Sequence, residues 1–445
     1  MKLGSIISLL FILAAASIAQ KPEDRLATAT GITFAAGSLS GPVQKLYLGQ
    51  NSAVAAERTQ LLGSLVGETL LQTEANAQGV TVDALLAAAA KKASEPSAAE
   101  IKAVYDANRA ALGERPLEQV TPQIVSFLRG GVEQKAITEL VGTLKTKHKF
   151  TAGKDINAAD LKPADTIFSI AGKPFTAGEF DSRFKAALYD IKAEIAAYVQ
   201  LDLDNAIFSA LVAQEAKNRN QEPADLLAAE ITNKLKDFTD DERTKLEDGL
   251  KQRLFTKYAV KILFKEPVPV AHDVTADDDP VSGDPAAPVT VIMFSDFQCS
   301  ACSATHPVLK KVLAEYGNKV RLVVRDLPLE SVHENAFRAA LAANAARQQG
   351  KFFEYVEILY SHQDALDAAS LGRYATELGL NLKQFELDSN SEKTAAEIRK
   401  DMADGVKNGA GGTPTIYVNG VKLQILSADG FRHAIDRALA APAAK

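Results

Sequence analysis

The chain is poor in sulfur and lacks tryptophan: 445 residues carry two cysteines, three methionines and no tryptophan. Two cysteines leave no sulfur for a disulfide-stapled framework. They also fall two short of a structural zinc site, and the histidines at 148, 272, 306, 333, 362 and 433 never pair at short helical spacing to supply the rest. Positive charge is scarce as well. Fifty Lys and Arg stand against 56 Asp and Glu, a net charge of −6 with no basic stripe, which argues against nucleic acid as a partner. Beyond the first twenty residues no run of 18 apolar residues suggests a membrane span.

What is present is concentrated. Both cysteines lie in Cys299-Ser300-Ala301-Cys302, after the apolar run Val289 to Phe294 and before a helix-like stretch from Ala304 to Tyr316. Strand, C-x-x-C and helix is the order a thiol–disulfide active site needs. An ordinary thiol of pKa near 8.5 is only about 3% ionised at pH 7, and a helix N-terminus can lower that pKa by one to several units. The thiolate attacks a disulfide and the second cysteine resolves the mixed intermediate. Cys299, nearer the helix terminus and solvent, is the expected attacker and Cys302 the resolver. A zinc site and an inert structural disulfide are the alternatives to this redox reading.

Pro414, in Gly412-Thr-Pro-Thr-Ile-Tyr-Val-Asn-Gly420, precedes a strand. A cis X-Pro bond costs only about 0.5–1 kcal/mol, so a fold can fix one where the chain must reverse. Asp296, three residues before Cys299, is a candidate proton acceptor for the resolving thiol and so a candidate for redox tuning. His306, followed by Pro307 in the active-site helix, reads as a helix-face residue, and His333 as structural.

The segment 284–441 resembles the DsbA-like branch of the thioredoxin superfamily. The resemblance rests on Asp284 to Ile292 running into Phe294-Ser-Asp-Phe-Gln-Cys299, on Val323-Val-Arg-Asp-Leu-Pro-Leu329, on His333 to Gln349, and on the Gly412 to Gly420 stretch. It implies an α/β thioredoxin-like fold with a helical insertion, and a cis-Pro414 beside the cysteines. It also implies that the backbone of Thr413 binds an extended substrate. The Ser-Ala dipeptide between the cysteines departs from the Pro-Phe or Pro-His of many relatives, and that dipeptide tunes the reduction potential. No cofactor is implied, because the sulfur pair carries the electrons.

The N-terminus reads as a secretory signal peptide, residues 1–19: Lys2, an apolar core from Ile6 to Ala16, and Ser17-Ile18-Ala19 before Gln20. Its removal takes one lysine and brings the net charge to −7. Export, to a bacterial periplasm, places the dithiol where disulfides form.

Residues 20–264 read as almost wholly helical and internally repeated. Leu70, Glu74-Ala75 and Leu85-Leu86 match Leu211, Glu215-Ala216 and Leu226-Leu227 at a constant offset of 141 residues. Ser97-x-x-Glu100 and Thr239-x-x-Glu242 are the expected capping boxes of the two copies. Copy one is placed at 20–150 and copy two at 167–265, with a joint at 151–166. A linker follows at 266–283, within the five-proline stretch Lys265 to Pro288 that holds the acidic run Asp277 to Asp279.

On Leu70 to Ala75, Gly79 to Asp83, Ala98 to Ala107 and Pro116 to Leu128, and on Ile170 to Phe175 followed by Phe180 to Phe264, each copy resembles the N-terminal chaperone domain of SurA-like periplasmic proteins. That resemblance implies an all-α cradle for unfolded clients; a spacer or dimerisation arm is the alternative. No parvulin-like module is recognisable, so prolyl isomerase activity is not implied.

The expectation is a multidomain, exported thiol–disulfide oxidoreductase acting on unfolded, cysteine-containing exported proteins, with a membrane redox partner. Isomerase or reductase action would call for the reduced dithiol, a chaperone surface and a homodimer. A non-enzymatic chaperone using the thioredoxin-like domain as a binding platform is the reading from another class.

Overall fold

The computed structural model describes residues 20–91, 95–113 and 115–441. The expected signal peptide, residues 1–19, lies outside the described residues.

The N-terminal half is helical, and its two copies follow one plan. Each opens with an antiparallel hairpin, Arg25–Ala29 with Ile32–Ala35 in the first and Thr166–Ile170 with Lys173–Thr176 in the second. Each continues into a long helix, Gly41–Gln78 or Lys185–Asn218. The first long helix starts on Pro42, whose fixed φ suits a first turn, and stops at Gly79, which takes the left-handed conformation at φ 68°. Asn220 takes that conformation at the matching position of copy two, at φ 55°. Shorter helices close each copy: Val82–Ala90, Ala98–Ala107, Arg109–Leu112 and Leu117–Lys147 in the first, Pro223–Glu230 and Asp240–Lys257 in the second.

The two copies do not fold as the separate units that the boundaries at 150 and 167 suggest. Strand Lys261–Ile262, which ends copy two, pairs with Arg25–Ala29 of copy one. Strand Thr151–Ala152, which directly follows copy one, pairs with Thr166–Ile170, the first strand of the copy-two hairpin. Residues 151–166 are therefore a sheet edge and a core segment, with Ile156 buried, rather than a plain joint. Each long helix runs through both hydrophobic cores. One core joins Leu26, Phe34 and Tyr47 to Val199, Leu203, Ile207 and Leu254. The other joins Leu65, Leu70 and Leu144 to Phe168, Phe180 and Leu188. The exchange is reciprocal: Thr30 N donates to Tyr258 O and Ala171 N to His148 O, both at 2.7 Å.

A buried carboxylate closes each crossing. Glu74 accepts from Lys147 Nζ at 2.6 Å, meets His148 Nε2 at 2.7 Å and bonds Gln78. Glu215 accepts from Lys257 Nζ at 2.5 Å, Tyr258 OH at 2.8 Å and Arg219 Nε at 2.7 Å. These donors, Lys147 foremost for Glu74 and Lys257 for Glu215, hold both carboxyls down at about 2. Glu74 and Lys147 are 73 residues apart and Glu215 and Lys257 only 42, so copy one carries an extra helical lobe between its clamp residues.

One capping box forms as expected, between Ser97 and Glu100. At the other, the Thr239 hydroxyl caps its helix, but Glu242 turns away to accept from the amides of Lys236, Asp237 and Phe238. A loop with three free N–H groups competes better for that carboxylate than a single cap amide does. Helix Lys185–Asn218 is long and apolar enough to span a membrane by length and composition, although it holds no unbroken run of 18 apolar residues, and it packs along one face into both cores.

The C-terminal half is a five-stranded sheet in the order Val421–Lys422, Thr415–Val418, Val289–Ser295, Val320–Asp326, Val281–Ser282. The two central strands are parallel and the remaining pairs antiparallel. Val289, Val291, Met293, Leu322 and Val324 face one core, with Leu309, Tyr355 and Phe431 from the helices. Ile292, Phe294 and Val323 face the other with Tyr417. Burial on both faces explains why the strand Val289–Ser295 reads as an apolar run rather than an alternation. Five helices between Ala336 and Lys407 form the insertion before Thr415–Val418.

The expected linker 266–283 is partly built into this domain. Val281–Ser282 adds an edge strand, and Asp279 is drawn in by Arg325, whose Nε lies 2.9 Å away. Arg325, 1% exposed, also holds Asp401 and Asp404, with its guanidinium over the Phe294 ring. The neighbouring Asp326 is buried too. Three carboxyls thus crowd one guanidinium, while Asp326 accepts from Asn344 Nδ2 at 2.6 Å. Desolvation, with Asp401 adding repulsion, pushes Asp279 and Asp326 up to about 8.

Candidate active site

Central strand Val289–Ser295 delivers the chain from its C-terminal end into the helix Ser300–Tyr316, with Cys299 as its N-cap at φ −75° and ψ 119°. The Cys299 carbonyl accepts from Ser303 N at 3.2 Å, and Pro307 stays inside the helix. Both cysteines carry free thiols. Cys299 is 8% exposed and Cys302 is fully buried, so only the first is open to a macromolecular disulfide.

The Thr413–Pro414 peptide bond is cis, and Cys299 Sγ donates to Thr413 O at 3.4 Å. The loop before strand Thr415–Val418 thus lies against the attacking sulfur, although 114 residues separate the two. The Thr415 hydroxyl fixes that loop by donating to Gly412 O at 2.7 Å.

Burial pushes the Cys302 thiol up to about 12, and the nearby Cys299 sulfur adds to it. The backbone of Asp296 and the hydroxyls of Ser295 and Thr413 pull the other way. The Asp296 carboxylate is occupied elsewhere: it accepts from Gln298 N at 2.7 Å and Leu329 N at 2.8 Å, and meets His333 Nδ1 at 2.8 Å. The main chain of Asp296 holds the turn, its carbonyl accepting from Cys299 N at 3.2 Å. His333 lies at that carboxylate. His306 lies on the active-site helix and is buried, with Nε2 2.9 Å from Glu357 Oε1 and its ring 5.0 Å from that of Tyr360. Burial lowers its pKa.

Three further residues shape the site without any local signal in the sequence. Gln363 Nε2 donates to Phe297 O at 3.0 Å and Cys299 O at 2.9 Å, tying the turn from the helical insertion. Ser295 Oγ meets Tyr360 OH at 2.5 Å across 65 residues. Gln298 Oε1 accepts from Asn335 N at 2.8 Å. Among the described residues no three His, Cys, Asp or Glu side chains converge as a metal-ligand set.

Residues 275–437 match the thioredoxin family model. Among curated proteins the chain is 42% identical over 147 residues to the Na(+)/H(+) antiporter NhaA 3 of Salinispora tropica, which is 33% of this chain and 22% of that one. It is 35% identical over 153 residues to NhaA 1 of Mycobacterium sp. strain KMS, 34% of this chain and 25% of that one. The chain spans about a quarter or less of the length of these relatives, a stretch the size of one domain. Among solved structures it is similar to a thioredoxin-like oxidoreductase from Silicibacter pomeroyi DSS-3, at 32% identity, 37% of this chain, 95% of that one and a TM-score of 0.35. BdbD from Bacillus subtilis follows at 22% identity, 39% and 100% coverage and a TM-score of 0.35. The family match over residues 275–437, the sheet order, the C-x-x-C at a helix N-cap and the facing cis-proline make the C-terminal part of this chain a thioredoxin-like domain.

Proposed function

We propose that this protein is an exported thiol–disulfide oxidoreductase that exchanges disulfides with unfolded client proteins in the periplasm. The observation that carries the reading is Cys299 at a helix N-cap, opposite the Thr413 carbonyl at the cis-proline. In the oxidising direction a client thiolate attacks Cys299 Sγ of the Cys299–Cys302 disulfide, and Cys302 leaves as a thiolate. A second client thiolate then attacks the client sulfur of the mixed disulfide. The client gains a disulfide, the domain keeps the dithiol, and two electrons have moved to the domain. Thr413 and Pro414 hold the client backbone, and Asp296 shapes the turn before Cys299.

The helical half serves as the client arm. Phe127 on helix Leu117–Lys147 and Tyr198 and Leu201 on helix Lys185–Asn218 are exposed apolar side chains, surface of the kind that unfolded segments bind. One observation favours a reductase or isomerase direction instead: a thiol pushed up to about 12, as Cys302 is, leaves slowly.

Equilibration against glutathione, read by gel shift of trapped thiols, separates the directions. A potential near about −120 mV is expected of an oxidase and one near about −270 mV of a reductase. A dithiol that never exchanges would overturn the enzyme reading. Cys302→Ser, which cannot resolve, should trap clients on Cys299, and Cys299→Ser should trap none.

A further inference from the structure

A cleft runs where the helical half meets the redox domain. One wall is the middle of helix Lys185–Asn218, which contributes Ala193, Ala197 and Leu201. The other is the chain that leaves strand Val421–Lys422, with Leu423, Gln424 and Ile425. Its cavity is about 320 Å³, within the range of ligand sites, which favour domain interfaces. The helical wall lies outside the residues that match the thioredoxin family, so the cleft belongs to this pairing of halves. Contacts between the halves fix its walls. Asp190 Oδ2 lies 2.9 Å from His272 Nε2, both side chains being largely buried, and His272 N donates to Gly420 O at 2.8 Å. Asp241 of the helical half pairs with Lys311 of the active-site helix.

The lining describes the occupant. Its charges balance, Asp204, Glu266 and Asp429 against Lys251, Lys422 and Arg437, which suits an uncharged segment and not a polyanion. Asp204 pairs with Lys251 at 3.0 Å and Asp429 with Arg432 at 2.9 Å, each on its own wall, so these pairs do not bridge the opening. Gln424 Nε2 is buried in the lining with no hydrogen-bond partner among the described residues, a donor that a peptide carbonyl would satisfy. Strand Val421–Lys422 is the edge of its sheet, and extended peptides add to such edges. Leu423 N donates to Ile416 O at 2.8 Å, two residues from Pro414, so this wall is continuous with the loop that faces Cys299. We propose that the cleft binds an extended, uncharged aliphatic segment of a client beside the cysteine undergoing exchange. The proposal rests on the thiol–disulfide reading above and names where the helical half grips its client. Entry of the segment covers Leu201, 51% exposed, and gives Gln424 its acceptor. Full burial of one aliphatic side chain is worth about tenfold or more in affinity.

The test uses the full chain, reduced, and two disulfide-bonded peptides alike but for their flanks, one of alanine, valine and leucine, the other of glycine and serine. In stopped flow the aliphatic peptide should be cleaved about tenfold faster than the polar one. Ala197→Trp, which fills the cleft, should bring that ratio to about one, and Leu201→Gln to about three. Val406→Ser, which removes an apolar side chain 67% exposed on helix Glu392–Lys407, should keep it. A fluorescent, cysteine-free copy of the aliphatic flank reads binding directly by anisotropy, and its Kd should rise about tenfold in Ala197→Trp. If Ala197→Trp and Leu201→Gln fold and keep both the rate ratio and the Kd, the cleft proposal is overturned. A second copy of the chain as the occupant would show in light scattering as a dimer that Ala197→Trp breaks and the peptide does not, and would overturn it likewise. If the unaltered protein cleaves neither peptide, the functional reading falls instead, and the anisotropy still decides the cleft.

Discussion

The two halves of the molecule bury carboxyl groups under opposite rules. In the helical half each buried glutamate meets at least two donors: Glu74 has Lys147, His148 and Gln78, and Glu215 has Lys257, Tyr258 and Arg219. Donors outnumber acids, and both carboxyls fall to about 2. In the redox half Asp279, Asp401 and Asp404 crowd Arg325 as their central cation, Asp326 lies beside Asp401, and desolvation drives Asp279 and Asp326 up to about 8. Burial alone does not set the sign. The ratio of donors to carboxyls does.

The largest break in that comparison is expected from Arg325→Leu. It strips the cluster of its central cation and should destabilise the redox domain by about 3–5 kcal/mol in urea unfolding, leaving the helical transition in place. Glu215→Ala is its counterpart in the other half. It leaves the Tyr258 hydroxyl and Lys257 without their acceptor and should cost the helical half about 1.5–3 kcal/mol by the same measurement. Glu74→Ala should act alike at the other crossing.

Titration sharpens the contrast further. For Glu74 and Glu215 the folded value of about 2 lies below the ordinary 4.5, so the folded state binds fewer protons. Their contribution is full above about pH 4.5 and lost as the pH falls toward 2. For Asp279 and Asp326 the folded value of about 8 lies above 3.8, so the folded state binds more protons. Their contribution is full below about pH 4 and lost as the pH rises to 8. Calorimetry across this range should show the helical transition falling on acidification and the redox transition falling as the pH approaches 8. Parallel shifts of the two transitions would contradict the donor-ratio account.

The smallest effect is expected at the second hairpin turn. Ala171 sits at φ 50° beside Gly172 at φ 78°. A left-handed residue with a Cβ costs roughly 1–2 kcal/mol, so Ala171→Gly should raise helical-half stability by about 1 kcal/mol, less the entropy that glycine brings to the unfolded chain. Thermal unfolding checks it.

Much of the redox site was legible because its parts are local. Cys299 and Cys302 sit between an apolar strand and a helix, and Thr413-Pro414 opens another strand. The relation of Glu74 to Glu215 was also visible, as matched positions 141 residues apart. Their role was not, because a glutamate in an Ala/Leu-rich helix reads as a solvated residue until its tertiary donors are known. The interleaving was hidden for a similar reason: Thr151–Ala152 and Lys261–Ile262 are two residues long, too short for alternation to register. Ser295 and Tyr360 meet across 65 residues that belong to different elements. Arg325, directly after the apolar run Leu322 to Val324, was a readable sign of a buried ion cluster, and it would have claimed the acidic run at Asp277 to Asp279 as its counter-charge.

The crossed sheets also set a timetable. Strand Arg25–Ala29 leaves the ribosome more than 230 residues before Lys261–Ile262, the strand that covers its open edge. At roughly 5–20 residues per second, the first hairpin waits on the order of 10–50 s for its partner. For that interval the nascent chain carries a bare strand edge beside a half-built core. A holding factor during synthesis or export would therefore serve this protein before it could serve any other.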